Sequence, residues 1–279
     1  MSDVRKQTRP EVFVNGKKVP SNRALTSLFD ERYLSVFESI KSCNGTLFEL
    51  GAHLNRLFES AKTVGFKICK TRSQLTRELK QCVKQYPNED KFVRLMLDER
   101  NSYIFITDRK RPQSLYDEGV DLTTLVTRRN LVHSVPPEIK SNAFVNNVLA
   151  TMDLIDGAGQ AYDGIFLNAS GDVVEATTWN IFAVKSGKLL TPESGFLHGV
   201  TRQFVIKCAE LEHVPVLELR LTRHDFWNAD EAFLTNTSGE ILPIRSLDGR
   251  RIGLTVPGRV TQKLQRRFQR ERDKELRRL

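Results

Sequence analysis

RRNLVHSVPPEIKSNAFVNNVLA, residues 128–150, divides this sequence into two blocks and decides how its fold is read. Its first half runs into Pro136-Pro137, which can continue neither a helix nor a central strand, so it reads as a connection between domains. Its second half opens a helix with Phe144, Val145, Val148, Leu149, Met152 and Ile155 on one apolar side, closed at Gly157 and Gly159. Lys140 stands between the two halves. It begins an ordered series that continues with Glu175 in GDVVEATTWNIFAV, Thr201 in GFLHGVTRQFVI and Thr237 in FLTNTSGEI. The series offers an amine that can condense with an aldehyde, a carboxylate that can hold a ring nitrogen protonated, and hydroxyls and amides that suit a phosphate.

Upstream, VFVNG at 12–16 reads as a strand into a turn, and LSVFESIKS at 34–42 as a strand continued by NGTLF through an Asn44-Gly45 hairpin turn. Leu50, Leu54, Leu57, Phe58, Ala61 and Val64 form a helical stripe that Gly65 ends, and a second helix is expected from Ser73 to Tyr86. FVRLML and SYIFITD are strands joined by a short turn, and Leu122–Thr127 reads as a further strand. Downstream, DGIFLN, VVEAT, WNIFAV and KLLTP are strands in quick order. Thr201 then begins a helix with Phe204, Val205, Cys208 and Leu211 inward, before the strands VPVLELRL and EAFLTNT. The pattern predicts an α/β protein with a small N-terminal domain over 1–127 and a larger C-terminal domain over 128–279.

A chain of 279 residues, 39% hydrophobic and 28% charged, can bury the core of a soluble globular protein. Four scattered cysteines without C-x-x-C spacing argue against a metal or redox site and for a reducing compartment. With neither an apolar leader nor a membrane-length apolar run, a cytoplasmic protein is expected. The net charge of +9 is concentrated at the end: Arg259 to Arg278 holds nine Lys or Arg against three acids. Val260, Leu264 and Phe268 give that helix a docking side, while Arg267/Glu271 and Asp273/Arg277 are spaced to pair on its exposed side. Apart from Phe268 on the docking side, no aromatic residue interleaves the charge, so nucleic acid is not the expected partner.

The segments VFESI, HLNRLFESA, IKSNAFVNNVLA, GDVVEATTWNIFAV, LLTPESGFLHGVTR and FLTNTSGEILPI, in this order, resemble the class IV aminotransferase family. These are the fold-type IV pyridoxal-phosphate enzymes, which include branched-chain and D-amino-acid aminotransferases and aminodeoxychorismate lyase. The resemblance implies two domains with pyridoxal 5'-phosphate in the cleft between them, an amino donor and a 2-oxo acid acceptor as substrates, and a homodimer. It makes Lys140 the catalytic lysine that carries the cofactor and moves a proton. It makes Glu175 the partner of the pyridine nitrogen, supported by Asn180 of E-x-x-x-x-N, although VVEAT alone also allows a solvent-facing glutamate. Arg56 lies off its helix's apolar stripe, and periodicity alone would leave it solvated. H-x-x-R-L makes it a phosphate ligand instead, while His53 is read as structural.

By the same resemblance Gly199 with the amides of Val200 and Thr201 completes the phosphate cup, Thr201 and Thr237 add hydroxyls, and Leu197 presses on the ring. Phe37, Arg94, Ser238 and Gly239 fall at substrate positions, the last two as backbone amides for a carboxylate. The chain departs from each subgroup. The branched-chain enzymes carry tyrosine where Val145 stands and glycine where Ser39 follows the F-E pair, and the D-amino-acid enzymes' R-x-H loop is replaced by the short LDERNSY. A branched-chain-like aminotransferase is therefore expected, with an aminodeoxychorismate-type lyase or a D-amino-acid aminotransferase as alternatives. The other class is a cofactor-free protein that binds through its basic end. The terminal helix is expected to play no part in catalysis.

Overall fold

The computed structural model describes residues 10–20, 34–131, 133–156 and 161–278. They fall into two compact units. The first comprises the chain through Arg111, Ile139–Ala143 and the end from Arg272, and the second comprises Pro112–Glu138 and Phe144–Glu271.

In the first unit, β1 (Glu11–Val14), β2 (Lys17–Val19), β3 (Val36–Cys43), β4 (Thr46–Leu47), β5 (Lys91–Leu97) and β6 (Ser102–Thr107) form one antiparallel sheet in the order β2-β1-β6-β5-β3-β4. Both Asn-Gly turns hold positive φ at each residue, the conformation a two-residue hairpin with right-twisted strands requires. Helices α1 (Leu50–Val64) and α2 (Arg72–Val83) contribute Leu54, Leu57, Leu75 and Leu79 to a core shared with Val93, Leu95 and Ile104 of the sheet. Gly65 ends α1 with φ 83°, and the Thr71–Gln74 capping box starts α2. The second helix thus stops at Val83, short of the expected Tyr86.

Strand alternation sorts the site residues of this unit. On β3 the side chains of Val36, Glu38, Ile40 and Ser42 are buried, while Phe37, Ser39 and Lys41 between them are only partly covered. On β5, Arg94 and Met96 belong to the partly covered set. Phe37 lies opposite Met96 and Ser39 opposite Arg94, so Phe37 and Arg94 are diagonal neighbours on one face of the sheet.

The second unit contains α3 (Ser114–Glu118), β7 (Val120–Thr124), α4 (Val145–Asp156), β8 (Asp163–Leu167), β9 (Val173–Ala176), β10 (Asn180–Lys185), β11 (Lys188–Pro192), α5 (Val200–Leu211), β12 (Val216–Leu219), α6 (Arg223–Trp227), β13 (Glu231–Asn236), β14 (Glu240–Leu247) and β15 (Arg250–Arg251). Its sheet runs β12-β11-β10-β13-β14-β7-β8-β9, with β15 on β14. A bridge between Val173 and Leu221 joins the two ends, curling the sheet around Ile165, Ile181, Leu234 and Leu242. Strand β7 lies parallel to both β14 and β8 and so belongs to the second sheet. The compact units accordingly change at Arg111/Pro112 rather than at 127/128, with Ile139–Ala143 returning to the first. The short helices α3 and α6 carry too few turns for a periodic signal, so periodicity does not reveal them.

Two apolar stripes behave differently from their periodicity. Leu211, the last residue of α5, is exposed, while Phe204, Val205 and Cys208 are buried as expected. The apolar side of α4 is also exposed, with Val145 at 67%, Met152 at 54% and Ile155 at 68% of full accessibility. Its buried residue is Ala150, and the closing glycines Gly157 and Gly159 lie outside the described residues.

The terminal helix α7 (Arg259–Leu276) docks through Thr261, Leu264 and Phe268, whose ring meets Phe204 edge-on at 4.9 Å. Arg267 pairs with Glu271 and with Glu212, whereas Asp273 is taken by Arg272 rather than Arg277. Its last turn is not idle. Glu275 Oε1 accepts the Glu49 amide at the start of α1, an end that has no side-chain cap of its own. Removing the charged end would remove that acceptor from the helix that carries Arg56. No helix among the described residues is long and apolar enough to cross a membrane.

Candidate active site

Lys140 does not open a helix. It lies on an extended strip against β3, where its carbonyl accepts the Phe37 amide at 2.9 Å, its amide donates to Ser60 Oγ at 3.1 Å, and Ser141 bridges to Val36. The backbone is thus fixed from two sides, and the side chain extends over the Phe37 ring with Nζ 4.7 Å from its centroid. The Arg94 guanidinium lies over the same ring at 4.9 Å. Arg94 Nε is buried without a hydrogen-bond partner among the described residues, and burial pulls the pKa of the side chain down. One aromatic ring therefore carries a primary amine and a poorly compensated cation.

Beneath β3, Glu38 is completely buried and gathers two cationic or potentially cationic side chains from α1. Arg56 donates Nε to Oε1 and Nη2 to Oε2, both at 2.7 Å, and His53 Nδ1 lies 2.7 Å from Oε2. Burial pushes the Glu38 carboxyl up, but the Arg56 charge and the hydrogen bonds from His53 and Arg56 outweigh it and hold the pKa at about 2. Burial pulls the His53 pKa down, so its ring is neutral and donates from Nδ1 at neutral pH. Arg56 is thus buried where helix periodicity leaves it solvated, because helical spacing cannot register an acid on a different strand. Its Nε and Nη2 grip Glu38 as a fork, which fixes the direction of the guanidinium.

In the second unit Glu175 is buried on a strand whose four residues are all buried, which excludes the solvent-facing alternative. Its Oε1 pairs with Arg129 Nη2 at 2.8 Å, and its Oε2 accepts the Leu197 amide at 3.2 Å and Asn180 Nδ2 at 3.4 Å. Asn180 Nδ2 also donates to Leu197 O at 2.9 Å, so Leu197 is held by both its amide and its carbonyl. A Cβ on Gly199 would come within 2.0 Å of Asn180 Oδ1, which explains glycine there. Gly199 is the N-cap of α5 and provides no side-chain cap, leaving Val200 and Thr201 at a helix start suited to an anion. Arg202 turns inward, bonded to Glu218 and Pro192 O and stacked on Phe196.

Thr237, Ser238 and Gly239 form the tip of the β13–β14 hairpin. The amides of Ser238 and Gly239 donate to Asn236 Oδ1 at 3.1 and 2.8 Å. Asn236 Nδ2 donates to Thr178 O in the turn between Glu175 and Asn180. That turn is pinned from below by Asp163, which accepts from Thr177 Oγ1 at 2.6 Å and whose carboxyl burial pushes up to about 6. The structure gathers Phe37, Arg56, Arg94 and Lys140 in the first unit, and Glu175, Asn180, Leu197, Val200, Thr201, Thr237, Ser238 and Gly239 in the second. Sequence reasoning missed Glu38, Arg129 and Asn236. Glu38 stood in the quoted F-E pair, but Arg129 sat in a stretch read only as a connection.

The class IV aminotransferase family model, amino-transferase class IV, matches residues 35–247 and so spans both groups of residues. The chain belongs to the class IV aminotransferases. A Methanocaldococcus jannaschii protein provisionally named a branched-chain-amino-acid aminotransferase is 35% identical over 276 residues, covering 92% of this chain and 95% of that protein. The branched-chain aminotransferase of Thermoproteus uzoniensis, solved with norvaline, is 31% identical with a TM-score of 0.82 and 94% of each chain covered. The T.th. branched-chain amino acid aminotransferase, solved with pyridoxamine 5'-phosphate, is 26% identical with a TM-score of 0.83, covering 94% of this chain and 93% of that one.

This aminotransferase is a pyridoxal-phosphate enzyme of fold type IV. Its donor set fits the cofactor. In the second unit the start of α5 lacks a side-chain cap, the glycine beside it leaves room for no Cβ and Glu175 is a buried carboxylate; in the first unit Lys140 offers an amine on a fixed backbone. When bound, pyridoxal phosphate supplies an aldehyde for the amine and a ring that accepts the electrons left at the substrate carbon.

Proposed function

We propose that this aminotransferase takes its amino group from a branched-chain amino acid and passes it to a 2-oxo acid. Lys140 offers the amine and moves the proton, and Glu175 faces the ring nitrogen, its direction set by the Leu197 amide, Asn180 and Arg129. Val200, Thr201, Thr237 and Arg56 take the phosphate, Leu197 covers the ring, and the amides of Ser238 and Gly239 receive the substrate carboxylate together with Arg94. The observation that carries the substrate reading is the Phe37 ring with the Lys140 amine and the Arg94 cation upon it. An aromatic surface suits an apolar side chain, and a cation with a buried unpartnered donor suits a carboxylate. The branched-chain names of the similar proteins support the same choice.

Purified enzyme loaded with cofactor should transaminate L-leucine, L-isoleucine and L-valine with 2-oxoglutarate. Arg94→Ala should raise KM for the acid substrates by about tenfold to a hundredfold, the scale of a lost charge-assisted hydrogen bond, with less effect on kcat. Faster turnover of D-alanine, or release of pyruvate from aminodeoxychorismate, would overturn the choice of donor or of reaction.

The active form proposed is a cytoplasmic homodimer. Val145, Val148, Leu149, Met152 and Ile155 recur on one side of α4 and are exposed in the single chain, an apolar face that a second copy of the chain can cover. Light scattering should report a dimer for the wild type and a monomer for the double variant Val148→Asp, Met152→Asp. A dimer that survives both charges would place the interface elsewhere.

A further inference from the structure

The hairpin tip proposed to receive the substrate carboxylate is already filled by the protein. Three donors converge on Asn236 Oδ1: the amide of Gly239 at 2.8 Å, the amide of Ser238 at 3.1 Å and the hydroxyl of Ser238 at 3.3 Å. Their convergence on one oxygen marks a cradle for an acceptor, and a carboxylate oxygen would satisfy it better than a neutral amide oxygen. The cradle is rigid. Gly239 lies under Trp179, where a Cβ would come within 2.2 Å of the indole, and its carbonyl accepts from Tyr116 Oη at 3.2 Å. Asn236 is held in turn through Nδ2, which donates to Thr178 O at 3.1 Å.

We infer that Asn236 is a specificity-determining residue, an internal competitor whose side-chain oxygen occupies the carboxylate cradle of Ser238 and Gly239 and must leave before a substrate carboxylate can bind there. The inference rests on the proposed role of those amides. Its consequence is a reduced affinity for carboxylates, because only molecules with Asn236 turned away are competent to bind. Asn236 also ties the tip to the turn between Glu175 and Asn180, so carboxylate binding would release Thr178 O at the same moment.

The test uses the cofactor-loaded enzyme and 4-methylvalerate, a carboxylate with neither amine nor keto group, by equilibrium titration. Asn236→Ala should bind it about tenfold tighter than wild type, the scale of one net hydrogen bond removed from the competing state. Asn236→Asp keeps an acceptor for the same donors, and so the hairpin, but places a negative charge in the cradle; it should bind at least about tenfold more weakly. Amide exchange at Ser238 and Gly239 should be slow in wild type, fast in Asn236→Ala and slow again when 4-methylvalerate is added. Equal or weaker binding by Asn236→Ala, or wild-type binding by Asn236→Asp, overturns the inference. If the alanine variant does not fold, the aspartate variant decides. Failure of the branched-chain reading would appear separately, as absent turnover of L-leucine, with the ranking of affinities still readable.

Discussion

Lys140→Ala should abolish turnover, lowering kcat by about ten-thousandfold or more, because the substitution removes both the amine and the proton carrier. Borohydride reduction of the wild type should leave the cofactor on one peptide, the one that contains Lys140, and reduction of the variant should leave none. The fold should survive. Lys140 is held by its backbone, with its amide on Ser60 and its carbonyl on Phe37, and alanine keeps both bonds. Unchanged thermal unfolding beside lost turnover would therefore place the effect on the side chain. Lys140→Arg should be nearly as inactive despite keeping the charge, since a guanidinium at neutral pH is not a nucleophile. A labelled peptide containing another lysine would remove Lys140 from its role.

Glu38→Gln should lower stability by about 3–5 kcal/mol in the cofactor-free protein, because it takes from the buried Arg56 cation the anion that its fork now grips. The pH dependence has a definite sign. Glu38 is held at about 2, well below an ordinary carboxylate, so its contribution is fully present above about pH 4.5 and is lost as pH falls toward 2. His53, pulled down by burial, acts in the same direction, and its contribution is lost as pH falls through its ordinary value near 6.5. Asp163 opposes them: raised to about 6, it keeps its proton in the folded state and gains relative stability as pH falls from 6 toward 3.8. Wild-type stability should thus change little between about pH 6 and 4.5 and fall steeply below, while Glu38→Gln starts lower and falls less. If Arg56 takes the phosphate, loading pyridoxal phosphate should restore part of the loss. A variant within about 1 kcal/mol of wild type would mean that Arg56 finds another partner.

The elements with strong local signals were readable from the chain. Asn44-Gly45 set one hairpin, the stripe from Leu50 to Val64 set α1, and Gly65 ended it, because turn chemistry and helical periodicity are properties of neighbouring residues. The family was legible for a different reason: its motif segments keep their order in sequence, and the residues proposed to hold the cofactor, Lys140, Glu175, Thr201 and Thr237, lie in four of them. Partners across long separations were not legible. Nothing near Arg56 announces Glu38, nothing near Glu175 announces Arg129, and the use of the Ser238 and Gly239 amides by Asn236 depends on the side-chain rotamer at the hairpin tip.

Family, cofactor chemistry and most strand and helix positions therefore follow from the amino-acid order, since each rests on local pattern or on chemically constrained residue types. Which strand joins which sheet does not: β7 enters the second unit through its parallel pairing with β14 and β8, strands remote from it in the chain or reached only after a helix. The same holds for the exposed apolar side of α4 and for Arg56, buried against an acid from another element. Periodicity tells which residues of an element share a face, but what covers that face is settled only by segments far away in the chain.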